Sequence, residues 1–268
     1  MFKTHKDGLR MEPTPERVYA VCKYSAQQRC SRDDLVAALS MFPNVAQNTG
    51  DIMAAIHVAE ELSLLQTKDG SISFIGSKDI LVSYIYFRRY VADRVFKQRE
   101  TTFFKVTEWY ISQNEVVFQY DTWEDKAAAI VRDGIDSINE NDFLGWRFWA
   151  SFLGEGYLHN QILIPNMKVR IQDVLVSKFS ETFKLGKIVP AYDFLQWLQI
   201  QIPEVSLQPD ELVPLGVSSA LRTMHELGLI TLTAQMDATR VKLYPVEGEA
   251  FLDFSHIMVK EEIAHELG

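Results

Sequence analysis

The stretch Asp121-Thr122-Trp123-Glu124-Asp125-Lys126 crowds three acids and a lysine into six positions. Asp with a following Glu-x-Lys is the donor set by which metal-dependent nucleases hold a divalent cation and activate water. Those enzymes carry the residues on strands, well separated. Here they open a helix, where acids are favoured by the helix dipole alone. The other sets that could do chemistry are weaker still. Six histidines are scattered, with no pair at metal-ligand spacing. There is no Gly-rich phosphate loop and no nucleophile elbow. Cys22 and Cys30 fit neither a zinc site nor a disulfide framework and read as reduced thiols of a cytoplasmic protein. The expectation is a protein without catalytic residues, metal or cofactor.

The elements that would position such residues are mostly helical. At 268 residues and 47% hydrophobic, the chain can bury a sizeable core, and 12% aromatic content argues against disorder. No apolar run is long enough to span a bilayer and the start has no secretory signal, so no membrane contact is expected. The net charge of −9 argues against simple non-specific nucleic-acid binding. The charge is uneven: segments 77–100 and 144–189 are net basic, while 101–143 and the tail from 245 are acidic.

Thr14-Pro15 reads as a helix start, with Val18, Val21, Cys22 and Ser25 forming its buried stripe. Ser31 caps a second short helix carrying Leu35 and Leu39. Asn48 or Thr49 opens a third, with Ile52, Ile56, Ala59 and Leu62 at helical spacing. Two β-like runs, Leu64–Thr67 and Ser71–Ile75, then flank Asp69-Gly70, which supplies the positive φ angles of a tight hairpin. Three helices and a hairpin resemble the winged helix-turn-helix superfamily. A second copy reads as a helix from Val189 to Ile202, a short one around Pro209 to Val213, and a third carrying Val217, Leu221, Met224 and Leu227. Gly228 is its C-cap and "TAQMDATR" its longer wing. In the first copy Ser63 stands where Gly228 does.

The fold expected is therefore mainly α (α+β): two winged helices flanking an all-helical middle domain. The boundaries read as a flexible N-terminus over 1–13, a first winged helix over 14–76, a helical middle over 77–188, a second winged helix over 189–244, and an acidic tail over 245–268. In the middle, 77–100 reads as one long helix. Thr122 with Asp125 caps another, "NDFLGWRFWASFL" ends at Gly-Glu-Gly, and "ILIP" is a short extended piece before a last helix. In the tail, Ser255 is read as the cap of an amphipathic helix whose stripe is Val259, Ile263 and Leu267; that stripe docks either on the protein's own second winged helix or, as a candidate partner-docking face, in a partner's groove.

The outward positions of the first third helix are Asp51, Ala54, His57 and Glu60, which would repel phosphate. The second offers Ser218, Ser219, Arg222 and Thr223, with Arg240 and Lys242 on the wing. The richest basic face is in the middle: Arg88, Arg89, Arg94 and Lys97, interleaved with Tyr84, Tyr86, Phe87 and Tyr90, and extended by Arg147, Lys168 and Arg170. These cations are the candidate phosphate contacts. Arg89, Asp93 and Lys97 at four-residue steps also pair along a solvated helix face.

A wider resemblance covers most of the chain. "SRDDLVAAL", "ELSLLQTKDGSISF", "WRFWASFLGEGYL", "ILIPNMKVRIQDVL", "PAYDFLQWLQIQIPEV" and "ALRTMHELGLITL", in that order, resemble DpdG-like accessory proteins. Those belong to bacterial gene clusters that place deazapurines in DNA and restrict foreign DNA. The resemblance implies a non-enzymatic adaptor subunit of an anti-phage or restriction complex, with helicase- or nuclease-like protein partners and DNA as a weak contact. Two other readings stand beside it. One is a winged-helix transcription regulator; the other is a tandem winged-helix subunit of a complex built on an SMC-like ATPase.

Overall fold

A computed structural model describes residues 1–2, 9–40, 49–135, 138–160, 162–208, 212–249 and 252–264. It is mixed α/β, rich in helix, with small antiparallel sheets. The chain divides into two compact units. Unit 1 comprises Met1–Val106 and Trp123–Phe152; unit 2 comprises Thr107–Thr122 and Leu153–Gly268. The helical middle domain expected over 77–188 is thus shared between the units, and it contains a hairpin.

In unit 1, α1 (Pro15–Ser25) starts on its proline and buries Val18, Val21, Cys22 and Ser25. Thr14 is extended but makes no side-chain cap bond. Strand β1 (Cys30–Ser31) leads into α2 (Arg32–Leu39). There Ser31 and Asp34 form a capping box: Ser31 N–H donates to Asp34 Oδ2 at 2.7 Å, and Asp34 N–H donates to Ser31 Oγ at 3.1 Å. α3 (Thr49–Glu61) follows and buries Ile52, Ile56 and Ala59. Asn48 lies outside the described residues. Ser63 takes φ +56°, the left-handed turn expected of it. β2 (Leu65–Lys68) and β3 (Ser71–Phe74) pair across Asp69 (φ +51°) and Gly70 (φ +75°), and β1 adds to β3, giving the order β1-β3-β2.

The long helix expected over 77–100 is broken. A 3-10 turn covers Lys78–Leu81, and α4 (Tyr84–Val95) begins afresh where Ser83 Oγ accepts from Tyr86 N–H. α5 (Thr102–Ser112), which belongs to unit 1 only up to Val106, α6 (Trp123–Arg132) and α7 (Glu140–Leu153) follow. Phe2, Phe103 and Trp149 pack edge to face at centroid distances near 5 Å in the aromatic core. Segment 9–13 is bound, contrary to the flexible terminus expected. Leu9 N–H donates to Asp142 Oδ1 (2.7 Å) and Trp149 Nε1–H donates to Pro13 O (2.7 Å). Gly145 lies against the Leu9 and Arg10 carbonyls, where no side chain fits.

Unit 2 opens its larger segment with the hairpin β4 (Gly156–His159) and β5 (Ile162–Pro165). It then repeats the element order of unit 1. α8 (Lys168–Thr182), β6 (Ile188–Pro190), α9 (Ala191–Gln201), α10 (Leu215–Glu226), β7 (Ile230–Thr233) and β10 (His256–Val259) correspond in turn to α1, β1, α2, α3, β2 and β3. Sheet order β6-β10-β7 matches β1-β3-β2. The second copy therefore begins one helix earlier than its expected start at 189: α8 packs on α10 as α1 packs on α3.

Two further expectations change. The second β-like run of the wing, β8 (Val241–Lys242), pairs with β9 (Asp253–Phe254) and not with β7. The partner of β7 is β10, drawn from the segment read as a tail helix. Ser255 caps nothing helical; its Oγ accepts from Gln235 N–H. Alternation decides this, because Ile257 and Val259 face the core at period two while His256 and Met258 do not. Residues 212–213 are extended, Val213 bridging Leu243, and Pro209 lies outside the described residues.

Candidate functional site

The basic face of α4 is real but partly engaged. Arg88, Arg89 and Arg94 are half-buried and Lys97 is exposed. Arg94 Nη2 donates to Ser63 Oγ at 2.6 Å, tying α4 to the turn after α3. Tyr90 does the same through Leu62 O at 2.8 Å. Phe87 is buried, while Tyr86 is exposed. Arg147 stacks its guanidinium on Phe148 (4.9 Å to the centroid) and Trp123 (5.9 Å), and burial lowers its pKa. These five cations belong to unit 1; Lys168 and Arg170 belong to unit 2, so no single unit carries the patch expected.

Arg170 is no surface contact. It is 3% exposed. Its Nε donates to Glu204 Oε1 at 2.7 Å, its Nη2 to Gln201 O at 3.2 Å, and Glu155 Oε1 lies 3.9 Å from Nε. Both glutamates are fully buried. Burial first, and then the Glu204 carboxylate, push the Glu155 carboxyl well above the usual range; Arg170 opposes the rise. Two acids facing one cation hold neutrality when Glu155 keeps its proton and shares it with Glu204. Sequence reading missed both glutamates. The signal that pointed inward was an acid set inside Gly-Glu-Gly between two apolar runs, and another directly after Pro203.

Arg222 is corrected for a similar reason. The face of α10 expected to read bases is covered by its own wing. Arg222 is 5% exposed and donates through Nη2 to Tyr244 O at 2.8 Å. Ser218 Oγ donates to Val213 O and accepts from Tyr244 N–H, both at 2.9 Å. α10 buries residues on all sides. Arg240 and Lys242 remain exposed on the wing, Arg240 paired with Asp253 at 3.2 Å. Val259 and Ile263 are buried in unit 2, so they cannot dock elsewhere in this state; Leu267 lies outside the described residues.

On α3, Asp51 pairs with Arg17 at 2.9 Å, and His57 Nε2 sits 3.4 Å from Glu61. On the second third helix, His225 Nδ1 accepts from Leu232 N–H at 3.2 Å. Lys126 of the acidic stretch is 1% exposed, its Nζ 4.8 Å from the Trp123 ring centroid. Among the described residues, no group of three or more His, Cys, Asp or Glu could hold a metal ion, and no helix is long and apolar enough to cross a membrane.

The fold thus defines a mixed α/β protein that builds one topology twice, with Arg170 and Arg222 of its candidate cations buried and used inside the structure. Residues 10–238 match the DpdG-like family, and the chain belongs to that family. No curated protein and no solved structure matches it.

Proposed function

We propose that this protein is a non-enzymatic adaptor subunit of a bacterial DNA-modification and restriction complex, built on two winged-helix units that bind protein partners. The observation that carries the reading is the family match over residues 10–238. The repeated order of three helices and three strands supports naming both units winged helices. The engagement of Ser218 and Arg222 with the wing speaks against α10 entering a major groove, and so against an operator-reading regulator. DNA contact, where it occurs, falls to the α4 cations. Affinity purification of the tagged protein from its host tests the proposal. Helicase-like, nuclease-like or ATPase subunits retained in fixed ratio are expected. A protein recovered alone at physiological salt, alongside specific operator binding, reverses the conclusion.

A further inference from the structure

The outward face of α3 is the floor of a cleft. Gly50, Met53, Ala54 and His57 line it at helical spacing, with Val58 beneath; Arg10, Pro13 and Met1 form the facing wall. Its volume is about 440 Å³. Pockets of about 300–1,000 Å³ take small organic molecules. A helix must stand clear of its surroundings to enter a DNA groove, and this face is walled in by segment 9–13.

That wall is fixed. The Leu9–Asp142 and Trp149–Pro13 hydrogen bonds and the close approach of Gly145 hold it on α7. The cleft is therefore preformed. Its floor is open: a side chain added at Gly50 meets no atom within 4 Å. The nearby acids are already engaged. Glu61 accepts from Phe2 N–H at 2.9 Å and from the Met1 amine, and Asp51 pairs with Arg17. Arg10 and His57, the latter with Nε2 3.4 Å from Glu61, are the cationic or titratable residues of the lining, and Met53, Ala54, Val58 and Pro13 its apolar ones.

We propose that this cleft is a binding site for a small organic anion with an apolar body. The carboxylate or sulfonate faces Arg10, whose five N–H donors leave room for a ligand besides any protein partner. The body lies on Met53, Ala54 and Val58. This goes beyond the adaptor reading and stands or falls separately from it.

The test is a fluorescence titration of the full chain with 8-anilinonaphthalene-1-sulfonate and with its uncharged parent, N-phenyl-1-naphthylamine. Saturable binding at one site is expected for both. Gly50→Leu and Ala54→Trp, which fill the cleft, weaken both by about tenfold or more. Arg10→Ala weakens the sulfonate by about tenfold and the uncharged probe by less than about twofold. Unchanged melting temperatures show that each variant is folded; if Ala54→Trp unfolds, Gly50→Leu decides alone. No saturable binding, binding indifferent to Gly50→Leu, or equal loss of both probes in Arg10→Ala overturns the proposal.

Discussion

Arg170 Nε lies 2.7 Å from Glu204 Oε1 inside unit 2, and Glu155 Oε1 approaches the same nitrogen at 3.9 Å. Removing the cation leaves two buried acids with no counter-charge. Arg170→Ala is expected to cost about 3–5 kcal/mol. Glu155→Gln, which keeps the shape and removes only the need for a proton, should cost less than about 1.5 kcal/mol. Urea unfolding of both variants checks this; equal losses would refute the shared-proton arrangement.

The same cluster sets a pH dependence. Glu155 has a raised folded pKa, so the folded state binds more protons than the unfolded chain. Its contribution is fully present below the ordinary glutamate value of about 4.3 and is lost as pH rises through the higher folded value. The stability of the natural protein minus that of Glu155→Gln should therefore fall as pH rises from the ordinary glutamate value of about 4.3 upward. Melting curves across that range give the difference directly. A flat difference means Glu155 is ionised in the fold.

The wing should release from α10 when its tie is cut. Arg222→Ala removes the hydrogen bond to Tyr244 O and costs about 1–3 kcal/mol. Limited proteolysis should then cut within 234–252 faster than in the natural protein. Cleavage elsewhere, with the wing still protected, would show that Arg222 does not hold it.

Much of unit 1 could be read from its sequence because its signals are local. Pro15 sets α1, Ser31 and Asp34 meet three residues apart, and Asp69-Gly70 closes a hairpin between adjacent strands. Unit 2 resisted because its decisive partners are distant. β7 finds β10 across a long wing, and β6 is only three residues, too short to show a period. Arg170 looked like a surface cation because Glu204 stands 34 positions away. Arg222 looked exposed because the segment that covers it comes after the strand it precedes.

DNA binding, if measured, should run through α4 and not through the arginines now placed in the interior. Replacing Arg88 and Arg89 by Glu should lower affinity and flatten its salt dependence, by about one in slope for each phosphate no longer neutralised. Electrophoretic mobility shifts at two salt concentrations suffice. A larger effect from Asp51→Ala, on the walled face of α3, would move the phosphate-binding face away from α4.

Ile257 sits at the centre of the unit 2 sheet, opposite both Val189 and Leu232. Ile257→Ala should cost about 2–5 kcal/mol, measured by thermal unfolding. A loss below about 0.5 kcal/mol, the scale of a surface change, would show that β10 is not a core strand.

The middle strand of that sheet, β10, is made after both strands it joins. During synthesis β6 and β7 emerge with no partner between them and wait while the whole wing is translated. Their inward residues Val189, Ile230 and Leu232 stay open to solvent for that interval. A nascent chain stalled in the wing therefore presents unpaired strand edges, a template for association with other chains. Unit 2 depends on uninterrupted translation through Val259 in a way that unit 1's sheet, complete at Phe74, does not.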